Sequence, residues 1–330
     1  MYLITGATGH IGNALVRVLR ASGQKVRALI LPGEDHESIQ GLGVEEIEGN
    51  ILDTSTILKA MDGVQDVFHL AGIISILPGN RNLLHQVNVK GTMNVIQAAI
   101  QAGIRRLVYT SSIHAIARTP HGVTIDERFP FDPNNPFGEY DRSKAEATIL
   151  VKEAVEQGVD AVIVCPTGVI GPYDYRCSEM GSLILDCLKE KPQLYVEGAY
   201  DFVDVRDVAQ GMLLANEQGK NGEVYILSGE QIQVHNLLDS VREISGKKFF
   251  TLKIPTMLAQ FASNFTPYYY RLTHAKPRFT SYSLEVLKSN SIISHAKATR
   301  EIGYQPRPLH ETLSDTIDWF HKNVNNLVRY

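Results

Sequence analysis

Thr5-Gly6-Ala7-Thr8-Gly9-His10-Ile11-Gly12 decides the reading of this 330-residue chain. The apolar residues 1–5 that lead into it read as a buried strand. Residues 11–21 place Ile11, Leu15, Val18 and Leu19 at helical spacing, and Gly23 follows as a stop. Glycines three apart between a strand and a helix have a specific physical use. Gly6 permits the tight turn and Gly9 lets the backbone approach a pyrophosphate. Gly12 lets the helix sit close on the strand, and the helix N-terminus offers amides and partial positive charge to an anion. A lone glycine pattern is common turn punctuation, but this one stands in the strand–turn–helix context that the motif requires. The stretch predicts dinucleotide binding.

Outward from that turn, short β-rich runs alternate with amphipathic helices, as in a parallel sheet. Strands are expected at 25–31 (KVRALIL), 44–48, 66–70 (DVFHL), 106–111 (RLVYTS) and 160–165 (DAVIVC), and helices at 54–60, 83–102 and 139–157. Beyond Gly171 the rhythm loosens, although a strand–helix pair at 202–215 and a strand at Val224–Leu227 read as returns to the same sheet. The expected fold is α/β: a doubly wound parallel sheet of six or seven strands, Rossmann-type, with a smaller C-terminal substrate lobe. Its dinucleotide domain would span 1–171, completed by about 201–228, and the lobe would take 172–200 and 229–330.

Tyr140-Asp141-Arg142-Ser143-Lys144 puts a phenol and an ammonium at i and i+4, on one face of the second long helix. A phenol with an unperturbed pKa of ~10 is a poor proton shuttle near neutrality. A nearby ammonium, together with the positive ring of an oxidised nicotinamide, stabilises the phenolate. The cluster Tyr109-Thr110-Ser111-Ser112 ends the fifth strand. Ligands of open parallel sheets bind outside the carboxyl ends of the strands, so these hydroxyls lie in the right crevice to hold a substrate oxygen.

Which dinucleotide is preferred turns on the tip of the second strand, where an acid grips the ribose of NAD and an arginine favours the 2′-phosphate of NADP. Ile30 and Leu31 stand there and supply neither, while Glu34 and Asp35 just beyond would repel a 2′-phosphate. The expected cofactor is NAD(P), with NAD favoured.

Composition closes off other classes. Thirty-two Lys+Arg against 36 Asp+Glu give a net charge of −4, without the electrostatic footprint of a nucleic-acid binder. No apolar run approaches the ~20 residues of a membrane span. MYLITGATGH lacks the marks of a signal peptide, so a cytoplasmic location is expected. Three cysteines without a C-x-x-C pair suggest neither a disulfide framework nor a zinc site, and no metal is expected.

Taken together these residues resemble the extended short-chain dehydrogenase/reductases, the NAD-dependent epimerase/dehydratase superfamily. The glycine turn, Leu70-Ala71-Gly72, Asn88-Val89-x-Gly91-Thr92, Thr110-Ser111-Ser112 and Tyr140-x-x-x-Lys144 occur in that superfamily's order and spacing. The resemblance implies that Tyr140 is the acid/base, Lys144 its pKa-lowering and ribose-binding partner, Ser112 the residue that polarises the substrate, and Asn88 the holder of a distorted helix behind the site. It carries Gly6, Thr8, Gly9, His10, Ile11 and Leu31 to the cofactor, with Asn50 and Ile51 against adenine. Leu70, Ala71 and Gly72 would line the ribose region and Thr110 would lie near the cofactor. Pro166, Gly168 and Val169 would stand beside the nicotinamide.

Sugar-nucleotide epimerases of this superfamily carry an Asn where this chain has Gly168. Cys165-Pro166-Thr167-Gly168-Val169-Ile170-Gly171-Pro172 instead is similar to the branch of dihydroflavonol-4-reductases and 3β-hydroxysteroid dehydrogenases. Ile74, Ile113, Tyr173 and the segment 265–270 (FTPYYY) are candidate walls of an apolar pocket. His69, inside an apolar strand, reads as a satisfied core histidine, while His114 follows the serine cluster and could face substrate. The leading reading is hydride transfer between nicotinamide and a carbonyl or secondary alcohol of a small hydrophobic substrate. A nucleotide-sugar epimerase or dehydratase is the alternative, and a non-catalytic dinucleotide sensor the third. A homodimer through helices 83–102 and 139–157 is also expected.

Overall fold

The computed structural model describes residues 1–75, 79–263 and 280–323, so the segment 265–270 lies outside the described residues. Its centre is a seven-stranded parallel sheet. In chain order the strands are β1 (Tyr2–Thr5), β2 (Val26–Ile30), β3 (Glu45–Glu48), β4 (Asp66–His69), β5 (Arg106–Thr110), β6 (Ala161–Pro166) and, after three strands placed elsewhere, β10 (Val224–Leu227). Their spatial order is β3-β2-β1-β4-β5-β6-β10. Tyr2 pairs with Val26 on one side and Asp66 on the other, so the chain reverses its direction of winding at β1. That switch point is where an open α/β sheet binds its ligand.

Burial explains why the strands were legible. Parallel strands covered on both faces read as apolar runs, and β4 and β6 are buried throughout. On one face α1 (His10–Ala21) inserts Leu15, Val16 and Leu19 into a core shared with Val208, Met212 and Tyr225. On the other, α2 (Thr54–Met61), α4 (Gly91–Ala102) and α5 (Glu139–Glu156) bury Ile57, Val95, Ala99 and Val151 against Leu107 and Ile163. A third core around Ile184, Leu237, Trp319 and Phe320 belongs to the C-terminal lobe.

Two sequence expectations are corrected. The strand expected from residue 202 is β9 (Ala199–Asp204), and it does not return to the large sheet. It lies between β7 (Gly168–Ile170) and β11 (Glu230–Gln233) in a separate three-stranded sheet. The reason is close backbone packing at two glycines: a Cβ on Gly229 would come within 2.2 Å of the Phe202 carbonyl oxygen, and one on Gly168 within 2.8 Å of the Phe202 ring. The Asp201 carboxylate then accepts from Thr167 Oγ1 at 2.6 Å and from the Gly229 N–H at 3.0 Å. The helix that follows, α7 (Val205–Gln218), does pack beneath the main sheet against α1.

The helix expected over 83–102 is interrupted. It begins as α3 (Arg81–Leu84), widens into a π-turn at His85–Lys90, and resumes as α4. Such bulges recur at functional sites. Along this segment Leu83, Met93 and Ile100 remain exposed.

Candidate active site

The glycine turn is built by contact. Gly6 has φ +73° and presses on the start of the loop after β4, where a Cβ would meet Ala71 N at 2.7 Å. A Cβ on Gly12 would come within 2.0 Å of the Gly6 oxygen, so only glycine lets α1 sit this close. Gly9 differs: its Cβ would find nothing nearer than 3.4 Å and its φ is ordinary. The protein's own packing does not demand glycine there, whereas a pyrophosphate lying on the turn would. The first turn of α1 carries no acidic residue and its N-cap makes no side-chain hydrogen bond, so its amides and dipole face outward uncompensated. This donor set fits a dinucleotide.

Beyond the carboxyl ends of β5 and β6 the structure brings together Ser112, Tyr140 and Lys144, all buried. Ser112 caps the short turn Ile113–Ala115, its Oγ accepting the His114 N–H at 3.2 Å. Burial pushes the pKa of the Tyr140 phenol up to about 12, against the lowering influence of the Ser112 hydroxyl beside it. Lys144 Nζ donates to the Thr110 carbonyl at 2.6 Å and to the Tyr109 hydroxyl at 3.4 Å, and burial depresses its pKa to about 8. Without a ligand the phenol is therefore held protonated, and the ammonium is poised close to neutrality.

Asn88 sits in the π-turn with its side chain buried. Its Oδ1 accepts the Ile73 N–H at 2.8 Å, and its Nδ2 donates to the Ile73 carbonyl at 3.0 Å and to Ser143 Oγ at 2.9 Å. It thereby ties the loop after β4 to the helix that carries Tyr140 and Lys144. Ala71 donates its N–H to Thr5 Oγ1 at 3.1 Å, and Gly72 lies over the Asn88 side chain.

Several residues expected at the cofactor or the pocket make contacts within the chain. The Asn50 side-chain Oδ1 accepts the Leu52 N–H, and Ile51 packs on Gly91 in the helix core. Leu31 is exposed, with its N–H donated to Glu34. The Thr110 hydroxyl faces Met212 and offers only its carbonyl toward Lys144. Tyr173, expected as a pocket wall, packs on Arg17 and Trp319 instead. Ile74 is exposed and Ile113 joins the helix-side core. Val169 packs against the core that holds α1. His69 is a satisfied core histidine, bonded to Thr5 at 2.7 Å and Thr92 at 3.0 Å, and burial drives its pKa down to about 3.

Other residues join the site that the sequence did not single out. Tyr282, on the lobe helix Ser281–Lys288, packs its ring 6.2 Å from His114, whose ring is 6.5 Å from Tyr140. The Tyr282 hydroxyl donates to Asp141 at 2.5 Å, and Arg118 approaches the same carboxylate at 3.6 Å. A charged residue directly beside the phenol on a buried helix face was the available signal, since buried charges need partners.

A doubly wound sheet with a glycine turn at its switch point and a buried Tyr–Lys pair beyond β5 defines a dinucleotide-dependent oxidoreductase fold. The comparisons agree. The model of the NAD dependent epimerase/dehydratase family matches residues 2–228. The chain is similar to a sterol demethylase protein B of Methylococcus capsulatus, 38% identical over 97% of this chain and 98% of the relative. It is also similar to a putative dihydroflavonol 4-reductase of Synechocystis, 32% identical over 98% and 95%. A third relative is a 4-hydroxy-2-methyl-3-oxo-4-farnesyl-3,4-dihydroquinoline-1-oxide ketoreductase of Stigmatella aurantiaca, 31% identical over 95% and 94%. The chain belongs to the NAD-dependent epimerase/dehydratase family of extended short-chain dehydrogenase/reductases, and it is an NAD(P)-dependent oxidoreductase.

Proposed function

We propose that this enzyme interconverts a ketone and a secondary alcohol on a small, hydrophobic, ring-bearing substrate, with Tyr140 as the acid/base and NAD as the preferred cofactor. The observation that carries the substrate class is Gly168. A side chain there would meet the Phe202 ring at 2.8 Å and the Asp201 carbonyl at 2.9 Å, so the chain has no room for the polar residue that sugar-nucleotide enzymes of the superfamily use at this position. The names of the three relatives, on sterol, dihydroflavonol and farnesyl-quinoline chemistry, support the same class.

A nicotinamide dinucleotide supplies or accepts the hydride, and the chain's residues manage the proton and the geometry. In the reducing direction Ser112 and Tyr140 grip the carbonyl oxygen, and the Tyr140 hydroxyl gives its proton to that oxygen as the carbon is reduced. In the oxidising direction the Tyr140 phenolate takes the alcohol proton. Lys144 stabilises that phenolate by its charge, and Asn88 fixes the helix that presents both groups. The exposed Leu83, Met93 and Ile100, all on the helical segment 81–102, support a homodimer through helices 83–102 and 139–157, which light scattering at twice the monomer mass would bear out. No helix among the described residues is long and apolar enough to cross a membrane, in keeping with the cytoplasmic location we propose.

The test is a thermal-stability panel with NAD, NADH, NADP, NADPH and UDP- and dTDP-sugars, followed by turnover of hydrophobic ketones and alcohols. Stabilisation by a dinucleotide and by no sugar nucleotide, with turnover of a ring ketone, is the expected result. A clear shift with a sugar nucleotide would move the assignment to an epimerase or dehydratase.

A further inference from the structure

The segment that leaves β7 folds back across the glycine turn. His10 Nε2 hydrogen-bonds the Pro172 carbonyl at 3.0 Å, and Asn13 Nδ2 donates to the Tyr173 carbonyl at 3.1 Å. Arg17 lies 4.4 Å over the Tyr173 ring and reaches the Tyr175 hydroxyl at 3.3 Å. Tyr173 itself holds a left-handed φ of +71°, which places this strap under backbone strain that its contacts offset.

At the end of the strap, Arg176 enters the corner between the glycine turn and the tip of β2. Its Nη2 donates to Glu34 Oε1 at 2.6 Å and to Thr8 Oγ1 at 2.8 Å, and lies 3.5 Å from the Asp35 carbonyl. Thr8 Oγ1 in turn donates to the same Glu34 oxygen at 2.8 Å, and the Leu31 N–H reaches Glu34 Oε2 at 3.3 Å. Glu34 is therefore no free loop acid. Three donors from three parts of the chain fix its carboxylate where a dinucleotide bound on this turn places its adenosine ribose. The usual discriminating position, the tip of strand two, is here apolar: Ile30 ends the strand and Leu31 follows it.

We propose that Arg176, delivered from beyond β7, is a specificity-determining positioning residue of the dinucleotide site. It pins Glu34 against Thr8, so that a carboxylate faces the ribose hydroxyls and a 2′-phosphate is refused. The guanidinium is neutralised by the same contact and is withheld from phosphate as long as Glu34 is charged. The proposal rests on the reading that this chain binds a nicotinamide dinucleotide on its glycine turn, and it names the residues that set the preference.

The test is binding rather than turnover. Dissociation constants for NADH and NADPH are measured by quenching of Trp319 fluorescence or by calorimetry on the wild type and on Glu34→Gln, Arg176→Gln and the double variant. Thermal midpoints serve as a folding control. The wild type should bind NADH at least tenfold tighter than NADPH. Glu34→Gln removes the repelling charge and frees Arg176, so NADPH should tighten at least tenfold while NADH weakens. Arg176→Gln alone should weaken NADH severalfold without improving NADPH. In the double variant the NADPH gain should vanish, because the cation that produced it is gone. A Glu34→Gln preference within twofold of wild type, a gain that survives in the double variant, a wild type that binds NADPH as tightly as NADH, or no binding of either would each overturn the proposal. Because nothing here is read from turnover, an enzyme that discriminates NADH yet reduces no ketone would reject the substrate reading and leave this one standing.

Discussion

Replacing Lys144 with methionine should alter stability in a way that depends on pH. The side chain is 7% exposed, and burial depresses its pKa from 10.5 to about 8. At pH 7 folded and unfolded chains both carry the ammonium, and the folded chain bears the full cost of burying it. As pH rises through about 8 the folded chain releases its proton, while the unfolded chain keeps its own until about 10.5. Over that window the unfolded state binds more protons, so wild-type stability rises with pH relative to a variant that has no proton to lose. Each pH unit above the folded value contributes about 1.4 kcal/mol. Between pH 7 and pH 9.5 the wild type should gain about 2 kcal/mol on Lys144→Met. Tyr140 and Cys165, both pushed up to about 12 by burial, keep their protons at pH 9.5 and cancel in the comparison. Urea unfolding of both proteins at the two pH values, without dinucleotide, measures the difference. A gap that is flat with pH, or that moves the other way, would refute the claim that this lysine is held against a desolvation penalty.

The two glycines of the turn should separate structure from binding. Gly12→Ala drives a Cβ to 2.0 Å from the Gly6 oxygen, so α1 must shift at a cost of about 1–3 kcal/mol, read as a lowered thermal midpoint. Gly9→Ala meets nothing nearer than 3.4 Å, so the midpoint should hold while dinucleotide affinity falls at least tenfold, and unchanged affinity would count against the pyrophosphate assignment. Asn88→Ala removes three hydrogen bonds, two to Ile73 and a buried one to Ser143, that tie the loop after β4 to α5. It should cost about 2–3 kcal/mol by urea unfolding and lower kcat as well, since the helix bearing Tyr140 loses its tether.

The sheet was legible because its physics is local. Strands buried on both faces spell themselves as runs such as DVFH and VIVC, and α1 announces itself through apolar spacing behind a glycine turn. What escaped depends on contacts distant in sequence. FVDV would read alike in either sheet, and only the close approach of Gly168 and Gly229 assigns it to the small one. The π-turn has no compositional mark and was expected at Asn88 from the resemblance only, because Asn88 is held by Ile73 and Ser143, 15 and 55 residues away. Glu34 looked like a solvated loop acid that merely repels phosphate, until Arg176, 142 residues later, closed on it. Tyr140 and Lys144 were found from their spacing together with their place after the serine cluster of a glycine-turn domain, yet their surroundings were not: Tyr282 comes from the far lobe, and Asp141 was passed over in the very helix turn that carries the phenol.

Under the proposed function, Tyr140 handles the proton in a site that binds the dinucleotide independently of it. Tyr140→Phe keeps the ring and its packing and removes only the hydroxyl. Turnover of a ring ketone should fall by at least about a hundredfold, the usual contribution of a positioned acid/base, while the NADH dissociation constant stays within about threefold of wild type. Turnover that survives the change would mean that another group carries the proton.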